Sequence, residues 1–194
     1  MPPKKRIQKQ DILAAAAQVI RQKQTPTVRS IAAQLGCSTQ PLYSEFGSQE
    51  KLFEALPEYL RQTYLAAHCT SYKDFGRVFL RFAAEEKELF QYLYLRRREP
   101  GQTLLEDPNR ELTLQLLASN LEMSGEQAAE MHRRMQYYCY GLGVMIATGY
   151  RDMSAEEIDR ELTDIFVILL RHYKQVPDEA TLAYWLERSR HLIG

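Results

Sequence analysis

Apolar residues recur along almost the whole chain at the three- and four-residue spacing of amphipathic helices, and no segment keeps the alternation of a strand. The pattern predicts ten helices, at about residues 4–22, 28–35, 39–46, 49–67, 72–84, 87–98, 109–121, 125–148, 155–173 and 178–191. Ser124 with Gln127, and Ser154 with Glu157, have the spacing of capping boxes, which place the starts of two long helices. We therefore expect an all-α fold.

A short stretch near the N-terminus predicts two short helices joined by a tight turn. Thr27 can cap the first helix and Gly36 can end it. Ser38 is the expected cap of the second helix, which turns Leu42 and Phe46 inward. Two short helices at a glycine turn form a helix-turn-helix, whose second helix enters the major groove of DNA. On this pattern alone, an ordinary helical hairpin is an equal alternative.

The outer side of the predicted second helix is polar, as expected of a surface that contacts DNA. Its hydroxyl and amide groups can reach base edges or phosphates. Pro41 falls in the first turn, where its missing N–H costs no helical hydrogen bond. We predict that the DNA contacts of the two helices come from Thr27, Arg29, Ser38, Thr39, Gln40, Tyr43 and Ser44.

Charge is unevenly distributed along the 194 residues, although the formal net charge is zero. Residues 1–51 carry eight Lys/Arg and three Asp/Glu, for a net charge of +5, and the remainder carries 17 and 22, for −5. A basic head on an acidic body fits one domain that binds a polyanion and one that does not. Lys4, Lys5 and Arg6 form a basic arm, which either follows phosphates or the minor groove or stays a solvated terminus.

The same N-terminal region resembles the TetR family of bacterial transcription regulators. The resemblance covers about residues 7–56 and extends more loosely to residues 82–90 and 141–158. It is carried by Ile31-Ala32, Leu35-Gly36, Leu42-Tyr43 and Phe46, followed by Leu52, Phe53 and Leu56.

The resemblance implies a domain organisation and a function. Residues 1–47 are then a three-helix helix-turn-helix DNA-binding domain, and residues 48–194 a larger helical domain that binds an effector and dimerises. The implied protein is a cytoplasmic transcription regulator that binds double-stranded DNA in a sequence-specific way. In its simplest form it is a repressor that a small-molecule effector releases from a pseudo-palindromic operator. The sequence does not identify that effector.

Two positions depart from the family pattern. Where this chain has Gln49, the family usually carries a Lys that grips a phosphate; Lys51 is a candidate replacement, although it points to another helix face. Glu45 stands where the family is usually neutral or basic, and an acid beside DNA costs affinity unless it points away. These departures keep open a second hypothesis, an interaction protein that retains the fold with weakened DNA binding.

The two long helices near the C-terminus are apolar around most of their circumference. A helix of this kind must be buried on all sides, either as a central core helix or against a second subunit. The resemblance favours the second subunit, because family members pair through their last long helices into a four-helix bundle. We therefore predict a homodimer interface formed by Tyr140, Gly143, Val144, Ala147, Ile165, Val167 and Ile168.

The middle of the chain is rich in aromatic residues and methionine. Such residues fill the core of any helical bundle, but the resemblance implies an effector cavity among the central helices. A cavity of this composition suits an apolar or aromatic molecule with few polar anchors. The predicted lining is Phe79, Phe82, Tyr92, Tyr94, Met131, Met135 and Tyr138.

Other chemistry finds little support in the sequence. The three cysteines, Cys37, Cys69 and Cys139, are too far apart for a disulfide framework or a zinc ribbon, which leaves buried inert thiols or a redox sensor. His132, Cys139 and His172 lack the tight spacing of metal ligands. No phosphate loop or nucleophile motif occurs, and the apolar runs are too short to span a bilayer. We expect no enzyme activity, cofactor or metal, and a cytoplasmic location.

Overall fold

The computed structural model describes residues 7–66, 69–96 and 107–193, and within these ranges the chain forms eleven helices and no strand. The all-α prediction is thus confirmed. The helices are α1 (Lys9–Arg21), α2 (Val28–Gln34), α3 (Gln40–Phe46), α4 (Gln49–Tyr64), α5 (Tyr72–Glu85), α6 (Lys87–Tyr94), α7 (Arg110–Leu121), α8 (Gly125–Ala147), α9 (Ala155–Tyr173), α10 (Glu179–Arg188) and α11 (Arg190–Ile193).

Most predicted helix boundaries agree with the structure to within two residues. The first helix begins at Lys9 rather than near residue 4. Gln8 precedes it, and the backbone N–H of Gln8 donates to the carboxylate of Asp11. The fourth helix stops at Tyr64, and the last predicted helix is interrupted at Ser189. Helix ends are set by local capping and side-chain packing, which apolar periodicity does not report.

The first four helices share one small core. α1 packs against α2, α3 and α4, and Ile12, Ile31 and Leu42 are 0%, 0% and 1% exposed. Burying each such side chain stabilises the fold by about 1.5–3 kcal/mol relative to leaving it in water. α1 also packs against α6, and α4 against α5 and α6. α1 and α4 therefore connect the first four helices directly to the rest of the chain.

α8 is the central helix of the remaining bundle, because it packs against α5, α6, α7 and α9. Its predicted capping box and that of α9 are both present: Ser124 accepts from the N–H of Gln127, and Ser154 from that of Glu157. Helices of the same chain therefore cover much of the wide apolar surface of α8. No described helix combines the length and the apolar character needed to cross a membrane.

Candidate DNA interface and ligand cavity

Local capping and one glycine build the helix-turn-helix. The hydroxyl of Thr27 accepts from the backbone N–H of Ser30 at 3.0 Å and caps α2. Gly36 follows α2 with a φ of +63°, a left-handed conformation that glycine adopts without strain. Pro41 lies in the first turn of α3, as expected. The prediction for Ser38 was wrong, because α3 is preceded by Thr39 and has no side-chain cap.

The outer face of α3 is accessible, as a DNA-reading surface must be. Gln40, Tyr43 and Ser44 are exposed on it, and Thr39 is half-buried at its start. The other predicted contacts in the described residues are exposed as well: Thr27, Arg29, Ser38 and Lys51. Lys4, Lys5 and Arg6 lie outside the described residues.

The two positions that depart from the family pattern lie near the end of α3 and at the start of α4. Glu45 is half-buried and shares a shallow groove with residues 8–10 at the start of α1. Gln49 and Lys51 are both exposed in the first turn of α4, where Ser48 accepts from the N–H of Lys51 at 3.3 Å. The N-terminus of a helix attracts anions through its N–H groups and its dipole. At α4 the hydroxyl of Ser48 and the carboxylate of Glu50 already engage these groups, so a phosphate there would have to compete with them.

A partly buried ion pair links the end of α1 to the rest of the chain. Arg21, in the last turn of α1, donates to the carboxylate of Glu86 from Nε at 2.7 Å and from Nη2 at 2.5 Å. The hydrogen bond to Glu86 is the main cause that raises the pKa of Arg21 above its ordinary value. Arg21 also donates to the hydroxyl of Tyr64 on α4. One guanidinium thus joins α1, α4 and the start of α6.

An aromatic cluster continues from this ion pair into the interior. The ring of Tyr64 stacks on Phe82, with centroids 5.2 Å apart, and Phe82 contacts Phe90 at 5.9 Å. Phe90 in turn contacts Phe79 at 5.4 Å and Tyr94 at 4.8 Å. Rings packed at these distances cannot shift independently, because protein interiors are close-packed.

Phe79 and Tyr94 also form part of the wall of a cavity between α5, α8 and α9, with a volume of about 90 Å³. Met135 lines it too, so three of the seven residues predicted for the ligand pocket do so. The other four lie elsewhere. Phe82 stacks on Tyr64, Tyr92 lies against the guanidinium of Arg96, Met131 is fully buried, and the hydroxyl of Tyr138 donates to Glu161.

The cavity has a polar wall that the sequence did not reveal. The hydroxyl of Tyr72 lies 3.0 Å from His132 Nδ1, and His132 Nε2 lies 3.0 Å from Asp107 Oδ2. Tyr72 and His132 are 4% and 6% exposed. These side chains come from positions 25 and 60 residues apart. No local spacing rule connects them, and a polar residue on an apolar helix face was the only signal.

The metal and thiol hypotheses gain no support at this wall. Within the described residues, no group of three His, Cys, Asp or Glu side chains lies close enough to hold a metal ion. Burial raises the pKa of Cys139 to about 12. The thiol therefore stays protonated at neutral pH and lacks the thiolate that redox sensing uses. Burial also raises the pKa of Cys69.

The structure separates the residues of the predicted dimer interface into two groups. Gly143 and Ala147 are buried within the single chain, and a Cβ on Gly143 would lie 2.7 Å from the ring of Phe90. These two were wrongly assigned, because helices of the same chain already cover them. Ile168 is 61% exposed, and the remaining four are half-buried: Tyr140, Val144, Ile165 and Val167.

Comparison with known protein families finds a match in the N-terminal part of the chain. Residues 12–56 match the family model described as bacterial regulatory proteins, tetR family. The match runs from α1 into α4 and includes both helices of the helix-turn-helix, so the resemblance deduced from the sequence is confirmed there. No curated protein and no solved structure matches the chain.

Proposed function

We propose that this DNA-binding transcriptional regulator, whose N-terminal domain is that of the tetR family, is a homodimeric repressor released from its operator by a small molecule. One observation carries the proposal. Packed rings lead from the cavity wall, at Phe79 and Tyr94, to Tyr64 and Arg21 at the base of the DNA-binding head, by which we mean α1 to α3. A molecule that fills the cavity would displace Phe79 or Tyr94, and through the packed rings it would alter the contacts of Tyr64 with Arg21 on α1.

DNA recognition is assigned to the exposed face of α3. The amide of Gln40 suits base reading, since Asn and Gln pair with adenine in the major groove, and the hydroxyl of Tyr43 suits a phosphate. Lys51 and the basic arm at Lys4, Lys5 and Arg6 add backbone contacts. The half-buried position of Glu45 beside the start of α1 keeps its carboxylate off the face that Tyr43 and Ser44 present.

A single α3 reads only a few base pairs, so a dimer with two such helices is needed for a specific site. A two-fold dimer presents them to successive major grooves of a pseudo-palindrome. We assign its interface to the outer faces of α8 and α9, where Tyr137 and Ile168 are 60% and 61% exposed. Half-buried Val144 and Ile165 extend this apolar surface. Exposed apolar side chains on two adjacent helices are typical of an interface between subunits.

We place the domain boundary near residue 47, at the start of α4, as the sequence predicts. α4 contacts α1 and α3 as well as α5 and α6, so we assign it as the lever between the two parts, beside the direct contact of α1 with α6. Release requires that the effector bind one conformation of this lever better than the other. By linkage, operator DNA then weakens effector binding by the same factor. Because the protein is a regulator that binds DNA, we assign it to the cytoplasm.

The test selects binding duplexes from a random pool and titrates the full chain with a selected duplex and a random one at several salt concentrations. We expect specific binding in which the logarithm of the association constant falls linearly with the logarithm of salt concentration, because phosphate contacts release counterions. Equal affinity for both duplexes, or no binding, would favour the alternative of an interaction protein with this fold. A Gln49→Lys variant, which restores the phosphate-binding Lys of the family, should bind both duplexes more tightly without gaining specificity, because a phosphate contact carries no sequence information.

A further inference from the structure

The cavity combines aromatic walls with one hydrogen-bonded polar corner. The apolar part comes from α5, α8 and α9 and includes Phe75, Val78, Phe79, Met135, Leu162 and Phe166. The polar corner consists of Tyr72, His132 and Asp107. A molecule in this cavity therefore meets rings on most sides and hydrogen-bonding groups at one end.

The hydrogen bonds of the corner determine what it offers to a ligand. Asp107 accepts the backbone N–H of Asn109 at one oxygen and faces His132 Nε2 with the other. An ionised carboxylate only accepts, so Nε2 carries the proton, and in a neutral imidazole Nδ1 is then an acceptor. With His132 in this neutral tautomer, Tyr72 donates its single O–H to Nδ1. The oxygen of Tyr72 keeps a lone pair, which can accept a hydrogen bond from a ligand.

Besides Gln136, whose neutral amide also lines the cavity, two polar groups at the wall bear on the charge that a ligand can carry. Lys73 is engaged by Asp159 at 3.0 Å and by Thr163 at 3.2 Å, so its ammonium is already paired. Asn109 donates its side-chain amide to the carbonyl of Leu65. The cavity lining in the described part of the chain thus offers no unpaired cation to an anionic ligand, while Asp107 adds a negative charge. A carboxylate or phosphate inside it would lose its hydration without a counter-charge.

The volume of the cavity limits the size of the ligand. Drug-sized ligands occupy cavities of about 300–1,000 Å³, and the cavity here has a volume of about 90 Å³. Because a cavity of about 150 Å³ is known to hold benzene, a single ring with at most one small polar group is the largest ligand that this volume allows.

We infer that the cavity binds a small, uncharged aromatic alcohol of the phenol class, whose ring packs between Phe79, Met135 and Phe166 and whose hydroxyl donates to the oxygen of Tyr72. That this molecule is also the effector rests on the proposed function. Binding to the cavity and release from DNA are separate events, and separate measurements report them.

The binding test titrates the full chain at pH 8 with phenol, toluene and benzoate and measures heat of binding. We expect phenol to bind about three- to tenfold more tightly than toluene, which lacks the donor, and benzoate to bind more weakly than either. Toluene binding as tightly as phenol, or benzoate binding most tightly, would overturn the inference. This comparison needs no variant, so it holds even if substitutions in the corner unfold the chain.

A substitution then locates the hydrogen bond. Tyr72→Phe keeps the ring and removes the oxygen, so phenol affinity should fall about three- to tenfold while toluene affinity stays unchanged. Tyr92→Phe, on α6 outside the cavity, is the matched control and should change neither. Phenol affinity that is unaltered in a folded Tyr72→Phe protein would rule out the assigned partner.

The last measurement separates the ligand class from the regulatory role. Phenol is added to the complex of the protein with its selected duplex. Phenol that binds the free chain yet leaves the DNA complex intact supports the ligand class and contradicts release by it. If the protein does not bind phenol but toluene or benzoate dissociates the DNA complex, the ligand class is wrong and the proposed function still holds.

Discussion

Arg21 and Glu86 form a two-pronged ion pair, Nε to carboxylate at 2.7 Å and Nη2 to carboxylate at 2.5 Å, between the last turn of α1 and the residue that precedes α6. Both side chains are mostly buried, with 33% and 20% of their surface exposed. Pairs of this geometry are stronger than single-pronged surface pairs, because two parallel hydrogen bonds fix the orientation. The pair therefore orients the DNA-binding head on the bundle.

Removing the charge of Glu86 should lower stability measurably. We expect Glu86→Gln to reduce the free energy of unfolding by about 1 kcal/mol, which chemical denaturation can detect. The matched control is Glu88→Gln two residues on, where the partner Lys23 lies at 3.7 Å and is 80% exposed. An exposed pair of that kind contributes little, so equal losses in both variants would contradict the special role of Glu86.

Gly143 marks a close approach of α8 to the aromatic cluster. A Cβ at this position would lie 2.7 Å from Phe90, so Gly143→Ala should displace that ring and cost about 1–3 kcal/mol of unfolding free energy. Gly125→Ala, in the same helix with nothing within 4 Å, should be neutral or slightly stabilising. Thermal melting of both variants decides the matter, and an unperturbed Gly143→Ala protein would argue against this packing.

The proposed dimer depends on the exposed side of α9. Ile168→Glu should convert a two-chain particle into a single chain of 22.6 kDa without unfolding it, because this side chain lies outside the core of the single chain. Leu112→Glu on α7, where the native side chain is 44% exposed, should leave the mass unchanged. Light scattering at micromolar concentration measures both. A wild-type monomer would remove the interface and the two-headed mode of reading DNA.

Gln40 and Tyr43 should differ in the kind of DNA binding they support. Gln40→Ala should cost about 1–3 kcal/mol on the selected duplex and little on random DNA, since a bidentate base contact carries sequence information. Tyr43→Phe should weaken both duplexes alike, as loss of a phosphate contact does. Gln62→Ala on α4, where the amide donates to Glu58, is a surface control. If neither Gln40→Ala nor Tyr43→Phe alters affinity, α3 does not dock as proposed.

Asp74 should make stability depend on acid pH. Desolvation raises its pKa, but hydrogen bonds from Arg77, Ser71 and Thr70 outweigh that effect and hold the pKa at about 2. A pKa lowered on folding contributes stability above the unfolded value near 3.9, and this contribution is lost as pH falls towards 2. Asp74→Asn should therefore cost about 1–2 kcal/mol at pH 7 and progressively less between pH 5 and 2.

Urea unfolding at a series of pH values measures that difference. Asp152→Asn is the matched control, since its carboxylate is 88% exposed and its ion pair with Lys87 spans 3.4 Å. A constant gap between wild type and Asp74→Asn over the whole pH range would show that the charge of Asp74 has no part in stability.

The sequence by itself determined the helices, the helix-turn-helix and the exposed face of α3. Apolar spacing, the caps at Thr27, Ser124 and Ser154 and the glycine turn at Gly36 are local features, and each depends on residues within one or two turns of helix. The family match over residues 12–56 confirms the same segment, because its pattern is local as well.

Only the tertiary structure decided which faces of those helices meet. Gly143 was expected to face a second subunit, and Phe90 of the same chain occupies that side. Tyr72, His132 and Asp107 meet across gaps of 25 and 60 residues. Such contacts depend on the crossing and rotation of separate helices, and a helical period shows that a face is apolar but not which neighbour covers it.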